Sequence, residues 1–401
     1  MSLEADTVHG PVNSPPTRKA VVSRQFLVTT LPFLLVLAIL FFLPLFVVKA
    51  NRIAEGTAQY ALASHGIGIA GWLIVAVLLG AAVCLPNIIL RAASAVLALN
   101  LILLMLGFDS QQLSAGAGPY ARVSIGSAGW LIILSAMALA GNSISKAKIP
   151  IVLAAALVGA TFAVLTIAAS VGVFDTLALV IEFRSRSDLF FAEFSRHIVL
   201  AYGAVVIAAV IGIPLVFFLR HYATGQQTVL VLLDFVQTIP SIALFSLLIP
   251  PVAWLGRHIG SLGAIGFKGI GWAPAMIALV LYSLFPIARN TRLATSQIPA
   301  ALLEIADGIG MSRWQRAWRV ELPLALPLML SGFRIALVQA IGLACIAALI
   351  GGGGLGVLIF KGISETANDL LLLGVLPVIG LVLITSFAFD ALIGMMRTSA
   401  R

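Results

Sequence analysis

The chain consists of long apolar runs separated by short polar segments. The runs that are long enough to cross a bilayer as helices lie at about residues 26–48, 66–85, 87–108, 125–145, 149–173, 197–219, 228–254, 272–288, 328–350 and 370–395. Backbone groups inside lipid must pair within their own segment, so runs of this length favour helices. The pattern predicts an all-α polytopic membrane protein with about ten transmembrane helices.

The first apolar run, from Phe26 to Val48, follows a polar stretch that carries Arg18, Lys19 and Arg24. A cleaved signal peptide is the alternative to a membrane span at this position. The run is about 23 residues long, which exceeds a usual signal core, and no clear small-residue cleavage site follows it. We therefore interpret it as an uncleaved first span.

The N-terminal spans contain a short internal repeat. The segment Ile67–Ile74 is identical to Ile125–Ile132 except at its third position. Chance similarity between two segments rich in glycine and alanine is the alternative to duplication. We expect Trp72 and Trp130 to mark the outer membrane interface, and the glycines to allow close helix contacts.

Residues 175–196 form an amphipathic segment between the fifth and sixth spans. Phenylalanines alternate there with charged side chains, namely Glu182, Arg184, Arg186, Asp188, Glu193 and Arg196. The functional interpretation is an outer surface that contacts a soluble binding protein. The alternative is an interfacial helix that only connects two modules.

The segment Glu304–Pro327 is the longest polar interruption between apolar runs in the second half of the chain. It is predicted to form two short helices joined at a bend. The first helix is expected to start near Pro299, because proline suits the first helical turn, and to end at Gly310, because glycine tolerates a left-handed conformation.

The second helix of this segment has a capping signal and two contrasting faces. Ser312 and Gln315 have the spacing of a capping box, and Pro323 is expected to limit the helix to about two turns. Such a helix is expected to lie on a membrane surface with its basic side towards the cytoplasm. A surface-bound linker helix is the alternative. One face carries Met311, Trp314 and Trp318, and the other carries Arg313, Arg316 and Arg319.

Composition supports the membrane assignment. The chain is 61% hydrophobic and 10% charged, with a mean hydropathy of +1.12, whereas soluble globular proteins carry about a quarter charged residues. The net charge of +9 suggests no nucleic-acid partner here, because basic residues also fix membrane orientation. The larger share of the 24 Lys and Arg residues falls on one side of the predicted topology, which places both termini in the cytoplasm.

The sequence shows no catalytic, cofactor or metal constellation. Cys84 and Cys345 lie inside apolar runs and have no disulfide or metal-ligand spacing. Two matches to Gly-x-Gly-x-x-Gly, at residues 66–71 and 351–356, follow no strand, and no phosphate-binding P-loop motif occurs. We therefore predict that any ATP hydrolysis takes place on another polypeptide. A membrane-embedded enzyme is the competing class, but it requires polar groups that converge inside the spans.

The polar segment resembles the coupling loop of the permease subunits of binding-protein-dependent ABC importers. In that family the pattern is Glu-Ala-Ala, three residues, Gly, nine residues, Ile, one residue, Leu-Pro. This chain departs from the leading triplet at Ile305. The resemblance implies that the loop docks into a groove of a separate ATPase subunit. The coupling residues it implies are Glu304, Ala306, Gly310, Arg313, Arg316, Leu322 and Pro323.

Further segments of the C-terminal half, at residues 237–241, 281–291, 314–323 and 351–363, are similar to the osmoprotectant branch of these permeases. That branch imports glycine betaine, choline, carnitine and related compounds. The five N-terminal spans are similar to a long-form subset of the branch. A permease of an amino-acid-type ABC importer remains the alternative, while an ATP-independent transporter leaves the coupling loop unexplained.

The resemblance also implies partners and a translocation path. The partners are a pair of ATP-binding subunits, an external substrate-binding protein, and a second permease that is either a copy or a sibling. The location is the bacterial cytoplasmic (inner) membrane. Prolines within spans free carbonyl groups and permit kinks where helices line a cavity. We therefore expect a path lined by Gln237, Pro240, Tyr282 and Pro286.

These expectations divide the chain into five parts. A cytoplasmic tail, 1–25, precedes a five-helix membrane module, 26–174. The outer amphipathic connector, 175–196, leads into a type I ABC importer permease core, 197–396, which contains the coupling loop, 289–327. A second cytoplasmic tail comprises 397–401.

Overall fold

The computed structural model describes residues 38, 42–51, 54–60, 67–118, 120–147, 151–219, 222–264 and 266–399. The chain divides into two compact units, Met1–Ile181 and Glu182–Arg401. Helices dominate both units, as the apolar runs predict.

The first unit contains four long helices, one small sheet and the first half of a short helix. The helices are α1 (Ile67–Cys84), α2 (Ile88–Ala117), α3 (Ser127–Lys146), α4 (Ile151–Ser170) and α5 (Ala178–Ser185). The strands are β1 (Phe46–Lys49), β2 (Thr57–Gln59) and β3 (Arg122–Ile125).

The small antiparallel sheet is a departure from the all-α prediction. Its strand order is β2-β1-β3, and Phe46 lies opposite both Gln59 and Ile125. The predicted first span, 26–48, therefore ends in a strand, because its last residues are β-branched or aromatic and find pairing partners on both sides. The rest of that run, apart from residues 38 and 42–45, lies outside the described residues, as does the predicted tail 1–25.

The repeated segments do place glycines at close contacts in this unit. A Cβ on Gly71 would lie 2.5 Å from the end of the Met105 side chain, so a larger residue in α1 would require this flexible side chain of α2 to move. Trp72, however, is buried, and its Nε1 donates to Asp109 Oδ2 at 2.7 Å. The prediction that Trp72 marks the outer interface is wrong, because a carboxylate within α2 draws the indole into the interior. Trp130 is half-buried.

The second unit packs its helices around α11. Its elements are α6 (Ser187–Leu219), α7 (Ala223–Thr238), α8 (Ser241–Leu247), α9 (Ile249–His258), α10 (Gly260–Ala264), α11 (Trp272–Ser296), α12 (Ala300–Gly308), α13 (Arg313–Arg316), a π-helical turn (Ala317–Glu321), α14 (Leu322–Ala344), a 3-10 turn (Ile346–Ile350), α15 (Gly356–Ser364) and α16 (Asn368–Ser399). The apolar window of α11 is 67% buried, more than that of any other span among the described residues. The core around it includes Phe245, Leu279, Ile287 and Ile341.

Six helices of the described residues are long and apolar enough to cross a membrane. They are Ile88–Ala117, Ser127–Lys146, Ser187–Leu219, Trp272–Ser296, Arg313–Ala344 and Asn368–Met396. A seventh span is formed if the bent pair Thr224–Thr238 and Ser241–His258 counts as one. Gly68–Cys84 and Ala156–Ser170 are shorter apolar helices. The described residues thus hold six or seven full spans, and the predicted number of ten is not confirmed.

Three predicted boundaries differ from the structure. The run 228–254 is broken at Pro240, where the two helices meet at 105°. The second half of the connector 175–196 belongs to α6, which begins at Ser187 and continues into the next span. The run 328–350 ends as an α-helix at Ala344 and continues as a 3-10 turn.

Candidate functional site

The first helix of the polar segment forms as the sequence predicts. Pro299 is the residue before α12, and Gly310 adopts a left-handed φ of +78° just after it. The Met311 amide donates to the Ala306 carbonyl at 3.1 Å, and the Gly310 amide donates to the Asp307 carbonyl at 3.0 Å. These two bonds are a Schellman motif, which satisfies the last carbonyls of the helix and turns the chain sharply.

The predicted capping box opens the second helix. The Gln315 amide donates to Ser312 Oγ at 3.2 Å, and the Ser312 amide donates to Gln315 Oε1 at 2.9 Å. The box and the Schellman motif together fix the bend between α12 and α13 with purely local bonds.

The prediction that Pro323 ends the second helix is wrong. The helix widens into the π-turn, in which the Leu322 amide donates to the Ala317 carbonyl, and then continues to Ala344. Pro323 lies in the first turn of α14. The widened turn changes the hydrogen-bond spacing, so the missing proline N–H does not stop the helix. The polar segment is therefore continuous with a membrane span.

Arg316 turns inward and connects the two helices of the polar segment. Its Nε donates to Glu321 Oε1 at 3.0 Å, and its Nη1 pairs with Asp307 Oδ2. The Glu321 side chain is 3% exposed and that of Asp307 is 53% exposed. We call Asp307, Arg316 and Glu321 the arginine clamp. It links α12 to the start of α14 across the bend.

The remaining predicted coupling residues differ in solvent exposure. Glu304, Gly310, Arg313 and Pro323 are exposed, whereas Ala306 is buried and Leu322 is half-buried. Leu322 packs beside a small cluster of Ala294, Ala325 and Met329.

Large apolar side chains surround the exposed coupling residues. Ile305 and Trp314 are 61% and 71% exposed, and Ile309 is also exposed. The Trp314 and Trp318 rings meet edge to face at 5.5 Å. An apolar patch on an otherwise polar segment is typical of a docking surface or a membrane interface.

The residues predicted for the translocation path form a hydrogen-bonded network. Pro286 has no N–H, so the carbonyl of Tyr282 in α11 loses its partner one turn later. Gln237 Nε2 of α7 donates to that carbonyl at 2.6 Å. The kink in α11 is thus satisfied by a side chain of a neighbouring helix.

The same network spans the break after α7. Tyr282 Oη donates to the Ile239 carbonyl at 2.6 Å, next to Pro240, which caps α8. Gln339 Nε2 of α14 donates to Gln237 Oε1 at 2.9 Å. Gln339 was missed at the sequence level, although an amide within an apolar run is the signal that marks it. The network ties α7, α11 and α14 together with uncharged groups.

Comparisons with known proteins agree with this geometry. Residues 219–398 match the family model "binding-protein-dependent transport system inner membrane component", and residues 24–180 match the model of the N-terminal domain of the ABC transporter permease YehY. The osmoprotectant import permease protein OsmW of Salmonella typhimurium is 44% identical over 46% of this chain and 80% of its own length. The glycine betaine/carnitine/choline permease OpuCB of Bacillus subtilis is 34% identical over 48% and 81%.

Solved structures also align. Among them, the inward-facing MetNI methionine ABC transporter is 25% identical over 53% of this chain and 98% of its own, with a TM-score of 0.46.

The fold and these relatives define a transport permease with multiple spans in the inner membrane, and not an enzyme. The resemblance to osmoprotectant permeases is confirmed by the relatives. The chain belongs to the family of binding-protein-dependent transport system inner membrane components, the permease subunits of ABC importers.

Proposed function

We propose that this permease serves an ATP-driven importer of glycine betaine or related quaternary amine osmoprotectants. The observation that carries the proposal is the 44% identity to an osmoprotectant import permease over 80% of that relative. The uncharged network of Gln237, Tyr282 and Gln339 suits a path that holds a quaternary ammonium only loosely. Tight recognition by aromatic faces then belongs to the external binding protein.

The polar segment couples the permease to ATP. Glu304, Gly310, Arg313 and Pro323 lie on its exposed surface and dock into the ATPase subunit. Three less exposed residues support coupling indirectly, because their side chains stabilise the conformation of the polar segment: Ala306, Arg316 and Leu322. Closure of the ATPase pair moves two such segments together and switches the core from inward-open to outward-open.

The assembly follows from this family membership. A permease of this family works with ATPase and substrate-binding partners. The second permease is a copy of this chain or a sibling. The chain crosses the membrane ten times, with both termini in the cytoplasm. The N-terminal module at 26–174 is joined by the amphipathic segment 175–196 to the permease core at 197–396.

Uptake into proteoliposomes tests the substrate class. The liposomes hold this chain with its ATPase and binding protein, and labelled glycine betaine, choline, carnitine and methionine are supplied in turn. ATP-dependent uptake of the quaternary amines supports the proposal. Uptake of methionine alone keeps the ABC mechanism and overturns the substrate class.

A further inference from the structure

The glycine-rich segment 351–356 is a tightly built loop. It follows the 3-10 turn and leads into α15. Left-handed φ values occur at Gly351 (+77°), Gly353 (+78°) and Gly354 (+89°). Only glycine adopts this conformation repeatedly without strain, so the residue type is required by the backbone. We call residues 351–356 the glycine loop.

Two side chains of α6 bind the glycine loop. The Gly354 amide donates to Glu193 Oε2 at 2.6 Å, and the Leu355 amide donates to His197 Nδ1 at 3.3 Å. Both bonds are buried. His197 is neutral in this arrangement, because Nδ1 accepts a hydrogen bond from the Leu355 amide and therefore carries no proton. Of these two consecutive amides, one therefore faces the Glu193 carboxylate and the other faces the imidazole of His197.

The packing leaves no space for a side chain at Gly352 or Gly353. A Cβ on Gly353 would overlap the side chain of Arg196, which also pairs with Glu193 at 3.7 Å. A Cβ on Gly352 would lie 2.9 Å from the Ala347 carbonyl. The sequence places Glu193 on a surface segment and His197 at a span end, but the structure buries both against the loop.

The glycine loop and the arginine clamp lie at opposite ends of one helix. Glu321 directly precedes α14, and the loop follows the 3-10 turn after it. At 1.5 Å per residue, the 23 residues of α14 span about 34 Å, close to the thickness of the hydrocarbon core. A displacement of the coupling segment is thus carried along a rigid element to the loop at the other membrane face.

We propose that Glu193 and His197 are positioning residues that hold the glycine loop closed, and that the loop leaves Glu193 when the coupling segment moves. The proposal rests on the proposed ATP-driven cycle and adds a gate at the end of the core opposite the ATPase. The bond to a carboxylate is strong enough to define a closed state. Together with the bond to His197, it is one of two hydrogen bonds to α6 side chains that a moving helix can break.

Hydrogen exchange at the loop tests this directly. The complex of the permease with its ATPase, in lipid nanodiscs, is compared at rest and after trapping with ATP and vanadate. The peptide covering residues 351–356 is expected to exchange slowly at rest and about 10- to 100-fold faster in the trapped state, the factor that corresponds to losing a hydrogen bond to a charged group. Equal protection in both states overturns the proposal.

Variants of Glu193 distinguish a gating contact from a hydrogen bond that has only a structural role. Glu193→Ala is expected to give fast exchange at rest and ATPase activity that no longer responds to the binding protein. Glu193→Gln keeps an acceptor oxygen and is expected to restore part of both properties. Glu365→Gln is the matched control, because Glu365 pairs with Lys361 at 3.9 Å on α15 instead of holding the loop through Gly354.

The outcomes are distinct. If Glu193→Ala retains resting protection and a normal ATPase response, the proposal is wrong. If Glu193→Ala fails to assemble, the proposal is tested by comparing loop exchange and the ATPase response between the wild type and Glu193→Gln. Failure of glycine betaine uptake by the wild type overturns the substrate class only, because the exchange experiment contains no transported substrate.

Discussion

Arg316→Met is the change that probes the arginine clamp most sharply. Methionine keeps an unbranched apolar stem but removes the guanidinium that bonds Glu321 at 3.0 Å. The Glu321 carboxylate is 3% exposed, so it loses its arginine partner while it stays buried, and breaking a buried ion pair costs about 3–5 kcal/mol. The Asp307 pair contributes little, since that side chain is 53% exposed and exposed ion pairs are worth about 0–1 kcal/mol.

The assay has three control variants: Asp307→Asn, Glu321→Gln, and the double variant that combines Arg316→Met with Glu321→Gln. Asp307→Asn is expected to cost below about 1 kcal/mol, and Arg316→Met with Glu321→Gln is expected to recover much of the loss, because no buried charge is left over. The thermal midpoint of the detergent-solubilised permease measures all of them. At about 2–4 °C per kcal/mol, Arg316→Met is expected to lower the midpoint by at least about 6 °C.

Two results would refute this reasoning. One is a midpoint for Arg316→Met that matches that of Asp307→Asn. The other is a double variant that is destabilised by the sum of the single changes. A pull-down distinguishes a residue of the arginine clamp from a residue that docks onto the ATPase. A clamp variant is expected to bind the ATPase subunit still, but to lose coupled uptake.

Further predictions follow from single contacts. Gly310→Asn is expected to retain ATP-driven uptake better than Gly310→Asp or Gly310→Ala. A Cβ at this position meets nothing within 4 Å, so the effect of each substitution depends on how well the new residue tolerates the φ of +78°. Tyr282→Phe is expected to lower stability by about 1–3 kcal/mol in a denaturation assay, since the carbonyl at the helix break loses its donor. Gly332→Ala is expected to destabilise by about 1–3 kcal/mol, because its Cβ would lie 2.6 Å from that of Asn290. Gly342→Ala, which meets nothing within 4 Å, is the matched control and is expected to be neutral or slightly stabilising in the same assay.

Local signals in the sequence predicted local structure well. The capping box of Ser312 and Gln315 and the left-handed Gly310 form as expected, because each depends on bonds within one turn of chain. The apolar runs likewise predicted most helices, since spans in lipid have few alternatives.

The structure departs from the sequence prediction at two places where interactions beyond the local sequence determine the conformation. Proline stops an α-helix, but the π-turn before Pro323 changes the hydrogen-bond spacing and lets the helix continue. The strand at Phe46 forms because β3, from a distant part of the chain, supplies a partner. Neither the π-turn nor the strand pairing leaves a periodic signal in the sequence.

The polar contacts of the site depend on distant residues. Gln237 and Gln339 are 102 positions apart, and Glu193 and Gly354 are 161 positions apart. A single sequence shows nothing that links the two members of either pair. Only the packing of helices reveals that they are partners.

The measurement that tests the central claim most directly is glycine betaine uptake into proteoliposomes loaded with or without ATP. The liposomes contain the ATPase, the binding protein, and either the wild-type permease or Gly310→Asp. The account predicts uptake that requires ATP and collapses in the variant. Uptake of equal rate without ATP, or in the variant, would contradict the role of the polar segment as the coupling element.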